Sequence, residues 1–257
     1  MPRLTLPRRL DHGEEASLIE HLEEFRVRLF VIIAAVAIGA VVGFAIHKHL
    51  IHWLELDLPK KFRDNLTYLT PTEAFTTVLW LSIYFGVIIA LPVIFWQIWG
   101  FFIPAIEAGK VKLMKWLVVL ASFLAAGGVL FGYFIVMPAA LKFLTSFDNE
   151  QLTYVPRAKD YLSFCVHVLL AMAVVFELPV FKVGLTQLGI LTTDKLRKNR
   201  RIGYFACGVL GMAVAPSVDP VTTVLQAAPL FVLYEGSIWL CALLDRRSRT
   251  RQPTAAV

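Results

Sequence analysis

Two carboxylates in this sequence stand where a carboxylate needs a reason. Glu177 lies in Val175-Phe176-Glu177-Leu178-Pro179, inside an apolar block. An ionisable group at bilayer depth is costly and marks a relay, a ligand contact or a structural hydrogen bond to a neighbouring helix. Pro179 removes a backbone donor two residues on and should bend the helix there. Gln97 is a second polar residue within such a block. Glu24 belongs to a different setting. Ser17 and Glu20 have the spacing of a capping box and should start a helix. Leu18, Leu22, Phe25 and Leu29 then share one face, while Glu20, Glu24 and Arg28 follow each other at i, i+4 on another. Two readings stay open. The helix is a solvated lead-in with Glu24–Arg28 as a weak surface pair, or it carries a carboxylate site for a basic ligand. Periodicity alone favours the first.

The elements that must position these groups follow from composition. Of 257 residues, 58% are hydrophobic and only 17% are charged, against about 25% charged for an ordinary soluble domain. Mean hydropathy is +0.68. The apolar residues come in blocks with the charges between them, and a helical span needs roughly 20 apolar residues. Six blocks are expected to span: 29–46, 74–106, 116–141, 161–181, 202–218 and 220–244. The second is too short for two spans and a turn, so it reads as one long tilted helix. The fifth is short. The expected fold is an all-α, six-span membrane domain over 29–244. A cytoplasmic amphipathic segment, 1–28, precedes it, and a basic, disordered cytoplasmic tail, 245–257, follows it.

Charge sets the orientation. Six spans place eighteen Lys and Arg on the side of the termini and seven on the other, which makes both termini cytoplasmic. The net charge of +6 is then a topology signal, and nucleic-acid binding is not needed to explain it. No cleavable leader is expected, because residues 1–28 are polar and acid-rich. The three cysteines have no paired spacing and read as buried small hydrophobes. His47, His49 and His52 read as interfacial rather than metal-binding, and no metal or cofactor is expected. Gly39–Gly43 and Gly128–Gly132 have the spacing of close helix packing. Trp80, Trp96, Trp99, Trp116 and Trp239 mark interfaces or packing. The chain lacks a phosphate-binding loop, an H-E-x-x-H zinc motif and a G-x-S-x-G nucleophile elbow.

Ordered pieces along nearly the whole chain resemble a known family. They are His21-Leu22-Glu23-Glu24-Phe25-Arg26-Val27-Arg28-Leu29, Thr70-Pro71-Thr72-Glu73-Ala74-Phe75, Gln97-Ile98-Trp99-Gly100-Phe101-Phe102-Ile103-Pro104-Ala105 and Tyr161-Leu162-Ser163-Phe164. Phe176-Glu177-Leu178-Pro179, Leu196-Arg197-Lys198-Asn199-Arg200-Arg201 and Asp219-Pro220 follow, with Pro229 and Tyr234-Glu235 after them. Together they resemble TatC, the multi-span subunit of the twin-arginine protein translocase.

The resemblance implies a cupped-hand architecture in the cell membrane. It implies a receptor for twin-arginine signal peptides of folded cargo, self-associating within a receptor complex. That complex recruits single-span TatA/TatB-type partners and uses the proton-motive force. It implies a cytoplasmic signal-binding site with Glu24 as its carboxylate, Arg26 beside it, Leu22 and Glu23 on the same helix, and Phe101 and Pro104 from the first cytoplasmic loop. Glu177 would line the concave face, with Pro179 and Gln97 among the intramembrane polar group. Met212, Asp219 and Thr223 would meet the partners. No enzymatic chemistry is implied. The sequence also departs from the family. A second loop glutamate falls on Lys110, so Glu107, about one turn earlier, is expected to replace it, with Glu23 as the fallback. The family's aspartate before the fourth span falls on Arg157, and Asp160 is the acid that could substitute. The alternative function is a proton-coupled small-solute transporter with Glu177 as relay. It predicts paired broken helices in two related halves, which the sequence does not show. An intramembrane hydrolase would need a nucleophile and base that are not evident.

Overall fold

The computed structural model describes residues 18–63, 66–102, 111–146, 155–187, 189, 191–214 and 219–250. Its helices are α1 (Leu18–Ala45), α2 (His47–Glu55), α3 (Pro71–Phe102), α4 (Val111–Phe131), α5 (Met137–Ser146), α6 (Ala158–Val175), α7 (Leu178–Gln187), α8 (Thr193–Lys198), α9 (Arg200–Val214) and α10 (Pro220–Thr250). A 3-10 turn at Lys60–Phe62 follows α2, and a π turn at Gly132–Val136 joins α4 to α5. Among the described residues, no strand forms beyond one isolated bridge between Thr67 and Arg157.

Among the described residues, five helical stretches are long and apolar enough to cross a membrane: His21–Ala45, Pro71–Phe101, Trp116–Ser146, Ala158–Gln187 and Pro220–Leu243. The long second helix matches its expectation, starting at Pro71 and holding 32 residues. The expected fifth span is α9, with 15 residues. At about 1.5 Å per residue it is shorter than the roughly 30 Å hydrocarbon core. It packs beside α10.

The N-terminal lead-in and the first span are one helix, α1. Two expectations change. The expected disordered tail is helical through Thr250, because α10 continues past the apolar block. The fourth span is not one bent helix. α6 ends at Val175 and α7 starts at Leu178, so the chain turns at Phe176-Glu177, just ahead of Pro179. Pro179 has no N–H for the Val175 carbonyl four residues back and its ring crowds that carbonyl, while the first turn of a helix tolerates proline, which accounts for the end of α6 and the restart.

Glycines set the closest approaches. A Cβ on Gly86 would lie 2.5 Å from the Val36 carbonyl oxygen, and one on Gly39 would lie 2.8 Å from the Gly86 Cα. α1 and α3 therefore meet backbone to backbone, as the Gly39–Gly43 spacing implies. Gly128 gives α6 the same access, with a Cβ there 2.4 Å from the Met172 carbonyl oxygen, while Gly132 meets the Leu169 and Met172 side chains at 3.3 Å. The rest of α1 is turned away from the protein, with Ile33, Ile38 and Val41 exposed. The buried core lies between α3, α4, α6 and α7 and includes Trp99, Met137, Met172 and Val180. All three cysteines are buried, and no disulfide forms among the described residues.

At one end of the bundle, Arg28 meets Gln97 and Gly100, and Arg200 meets Glu235. This end carries both described chain ends and is called the terminal face below. At the opposite face, Thr67 exchanges backbone hydrogen bonds with Pro156 and Ala158, at 3.0 and 2.8 Å. Arg157 donates from Nε and Nη2 to the two carboxylate oxygens of Glu73, at 2.6 and 3.1 Å. Asp160 stands 3.7 Å from the same guanidinium. Arg157 thus forms a forked ion pair clamping the start of α3 to the start of α6.

Candidate functional site

The site at the terminal face is built from the first turns of α1 and the last turns of α3. The last carbonyls of an α-helix have no partner within it and carry the negative end of its dipole. Arg28 supplies the missing donors. Its Nη2 donates to the Gly100 carbonyl at 3.0 Å and its Nη1 to the Gln97 side-chain oxygen at 3.3 Å. The same guanidinium holds Glu24, through Nε at 3.1 Å and Nη2 at 2.5 Å, both to Oε1. Gly100 makes room for this, since a Cβ there would lie 2.5 Å from Nη1.

The second Glu24 oxygen, Oε2, is buried and has no hydrogen-bond partner. A carboxylate out of water with one empty oxygen attracts a further N–H donor. Aromatic groups stand beside it. The His21 and Phe101 rings stack at 4.2 Å, and Phe25 meets Phe101 edge-on at 5.9 Å.

This arrangement corrects the surface reading of the helix. Glu24 and Arg28 are the protected side of α1, each only about a fifth exposed (22% and 23%), while Leu22 and Phe25 face outward at 67% and 51%. Apolar Leu22 and Phe25 face outward while Glu24 and Arg28 face the protein, the reverse of a soluble amphipathic helix. Arg26 also faces outward, over the Phe30 ring at 5.6 Å. Glu23 is exposed and lies off the niche. Gln97, expected among the intramembrane polar group, belongs to the Arg28 site instead. Pro104 and Glu107 lie outside the described residues.

Glu177 is separate. It is 1% exposed at the α6–α7 turn, and both carboxylate oxygens are buried without a hydrogen-bond partner. Pro179 is buried beside it in α7. Asp219 accepts the Thr222 backbone N–H at 2.7 Å and so caps α10. Thr223 donates its hydroxyl to the Asp219 carbonyl at 2.8 Å. Met212 is 60% exposed on α9.

A third polar group was legible only in part. Lys182 sits in α7 rather than in a loop, with Nζ 3.2 Å from the centre of the Tyr234 ring. Glu235 accepts from the Tyr204 hydroxyl and stands 3.5 Å from Arg200 Nη2. These contacts hold α9 to α10. The sequence reading missed Arg28 as an anchor and Gly100 as the space for it. The i, i+4 spacing and the Gly after Trp99 were the available signals.

Fold and site together define an all-helical, multi-pass membrane protein with a polar niche at one face. Residues 20–229 match the family described as Sec-independent protein translocase protein (TatC). The TatC of Aquifex aeolicus is 35% identical over 238 residues, covering 91% of this chain and 98% of the relative. TatCd of Bacillus subtilis is 35% identical over 245 residues, covering 95% and 98%. A crystal structure of the twin-arginine translocase receptor TatC superposes with a TM-score of 0.74 at 35% identity, over 87% of this chain and 98% of that one. The chain belongs to the TatC family. It is a protein-translocase component, in a family of transporters of protein rather than of enzymes.

Proposed function

We propose that this chain is the signal-peptide receptor and core scaffold of a twin-arginine translocase in the cell membrane. The terminal face is cytoplasmic in this reading, supported by the eighteen-to-seven excess of Lys and Arg. One observation carries the receptor role. Glu24 is fixed by Arg28 through one oxygen and keeps the other buried and unpartnered, next to Phe101. A signal-peptide arginine completes that carboxylate and brings an apolar neighbour to the Phe25–Phe101 surface. Two adjacent arginines need a second acceptor, which we assign to Glu107, with Glu23 as the fallback. Leu22, Arg26 and Pro104 are the further residues that we assign to signal-peptide binding. Single-span TatA/TatB-type partners meet Met212 and the neighbourhood of Asp219 and Thr223, copies of the chain self-associate in the receptor complex, and the proton-motive force drives export.

The test is binding of a twin-arginine signal peptide to the protein in lipid nanodiscs, beside a twin-lysine peptide. Arginine preference that disappears in Glu24→Gln is expected. Equal weak binding of both peptides, unchanged in Glu24→Gln, would refute the assignment. Glu107→Gln binding like wild type would remove Glu107 from the site.

A further inference from the structure

A cavity of about 470 Å³ opens at the opposite face. It lies between the α2–3-10 connection and α5, far along the chain from the Glu24 niche. Its wall holds both signs of charge, from Asp57, Lys60, Arg63 and Lys142, together with Thr145 and Ser146. Leu58, Pro59, Phe62 and Pro138 supply an apolar side.

The polar groups sort into two kinds. Acceptors are one kind. Asp57 Oδ2 is buried with no hydrogen-bond partner. The Thr145 hydroxyl gives its hydrogen to the Leu141 carbonyl at 2.7 Å, and the Ser146 hydroxyl gives its hydrogen to the Phe143 carbonyl at 3.1 Å. Each hydroxyl oxygen is then left with lone pairs only. Donors are the other kind. Lys60 and Lys142 are exposed ammonium groups with no ion pair among the described residues. Arg63 is committed elsewhere, donating to the Leu58 and Leu56 carbonyls at 2.9 and 2.5 Å, and so shapes the loop around the cavity.

A ligand that satisfies both kinds carries an N–H cation and a phosphate a few bonds apart. We propose that this cavity binds the headgroup of an aminophospholipid of the phosphoethanolamine type, its ammonium on Asp57, Thr145 and Ser146 and its phosphate on Lys60 and Lys142. Placement favours lipid over free phosphoethanolamine. α5 is the end of the span Trp116–Ser146, so the cavity sits at the membrane surface, and its apolar side takes the glycerol end. Burial pushes the Asp57 carboxyl up to about 6, against the lowering effect of Arg63, and a bound ammonium would offset that cost.

The experiment reads lipid retention by native mass spectrometry after extraction from vesicles with equal phosphatidylethanolamine, phosphatidylcholine and phosphatidylglycerol. Ethanolamine lipid should be retained roughly tenfold over choline lipid, the equivalent of one charge-assisted hydrogen bond. The choline headgroup has no N–H to give. Asp57→Asn should abolish that preference, and Lys60→Gln with Lys142→Gln should lower retention of all three lipids. Thermal unfolding of each variant checks folding. Asp57→Asn is close in shape and removes a costly buried charge, so it should fold. Equal retention of ethanolamine and choline lipids by wild type, or a preference for phosphatidylglycerol, would overturn the proposal. So would a preference for ethanolamine that Asp57→Asn leaves intact. A separate arm adds soluble phosphoethanolamine or inorganic phosphate to detergent-purified protein. Stabilisation by either, without lipid retention, would overturn the lipid assignment.

Discussion

If Arg28 is the anchor between α1 and α3, cutting it must cost more than a surface ion pair does. The perturbation is a double-mutant cycle of Glu24→Gln, Arg28→Gln and both together. Arg28 makes two hydrogen bonds to Glu24 Oε1, one to Gln97 Oε1 and one to the Gly100 carbonyl. Hydrogen bonds involving a charged group contribute about 1.5–3 kcal/mol each where buried, and these groups are about one-fifth exposed, so a discount applies. Arg28→Gln should therefore destabilise by roughly 2–4 kcal/mol, and the coupling between the two sites should be about 1–3 kcal/mol. The assay is thermal unfolding in nanodiscs, where each kcal/mol shifts the midpoint by roughly 2–4 °C for a chain of this size. Glu24→Gln alone should cost less, because the amide oxygen still accepts from Arg28. A coupling near the roughly 0.3–0.5 kcal/mol of an exposed i, i+4 pair would refute the reasoning. It would mean that the polar face of α1 is solvated and that α1 is held to α3 only by its glycines.

Other outcomes follow from the same coordinates. Gly86→Ala places a methyl 2.5 Å from the Val36 carbonyl, so α1 must move off α3; a loss of at least about 1–3 kcal/mol is expected in thermal unfolding. Arg157→Ala leaves Glu73 buried without its fork. It should lower stability by roughly 1–3 kcal/mol and speed proteolysis in the segment before α3, while Arg157→Lys recovers only part. The Asp57 carboxyl is raised from 3.8 to about 6, so the fold favours its protonated form. Its contribution to holding the α2–3-10 connection is full below pH 3.8 and lost as pH rises through about 6. Hydrogen exchange of that connection, corrected for intrinsic rates, should slow as pH falls through this window, and Asp57→Asn should remove the dependence.

Much of the architecture was legible because hydrophobic blocks and glycine spacing are local. The 32-residue α3 was readable from the absence of charge alone, and the tight approach of α1 to α3 from Gly39 and Gly43. The break ahead of α7 was half-readable. Pro179 announced a disturbance, but its place at Phe176-Glu177 depends on how α6 and α7 pack. The Glu24–Arg28 pair shows where sequence reasoning fails. Spacing puts the two side chains together but cannot say which side of the helix faces water, and in a membrane protein apolar residues face outward as readily as inward.

The sequence by itself determined the class, the helical spans, the family and the identity of Glu24 and Glu177 as carboxylates with a cost to justify. The class and the spans follow from composition and short-range periodicity, which need no partner helix, and the family from the resemblance of ordered motifs along the chain. The tertiary structure alone decided that Arg28 bridges to residues about seventy positions away and leaves Glu24 one empty oxygen. It alone decided that Arg157 closes on Glu73 and that Asp57 shares a cavity with Lys142. Each joins elements far apart in the chain. Such contacts exist only once the helices have packed, because a local pattern fixes which side chains share a helix face but not what that face meets.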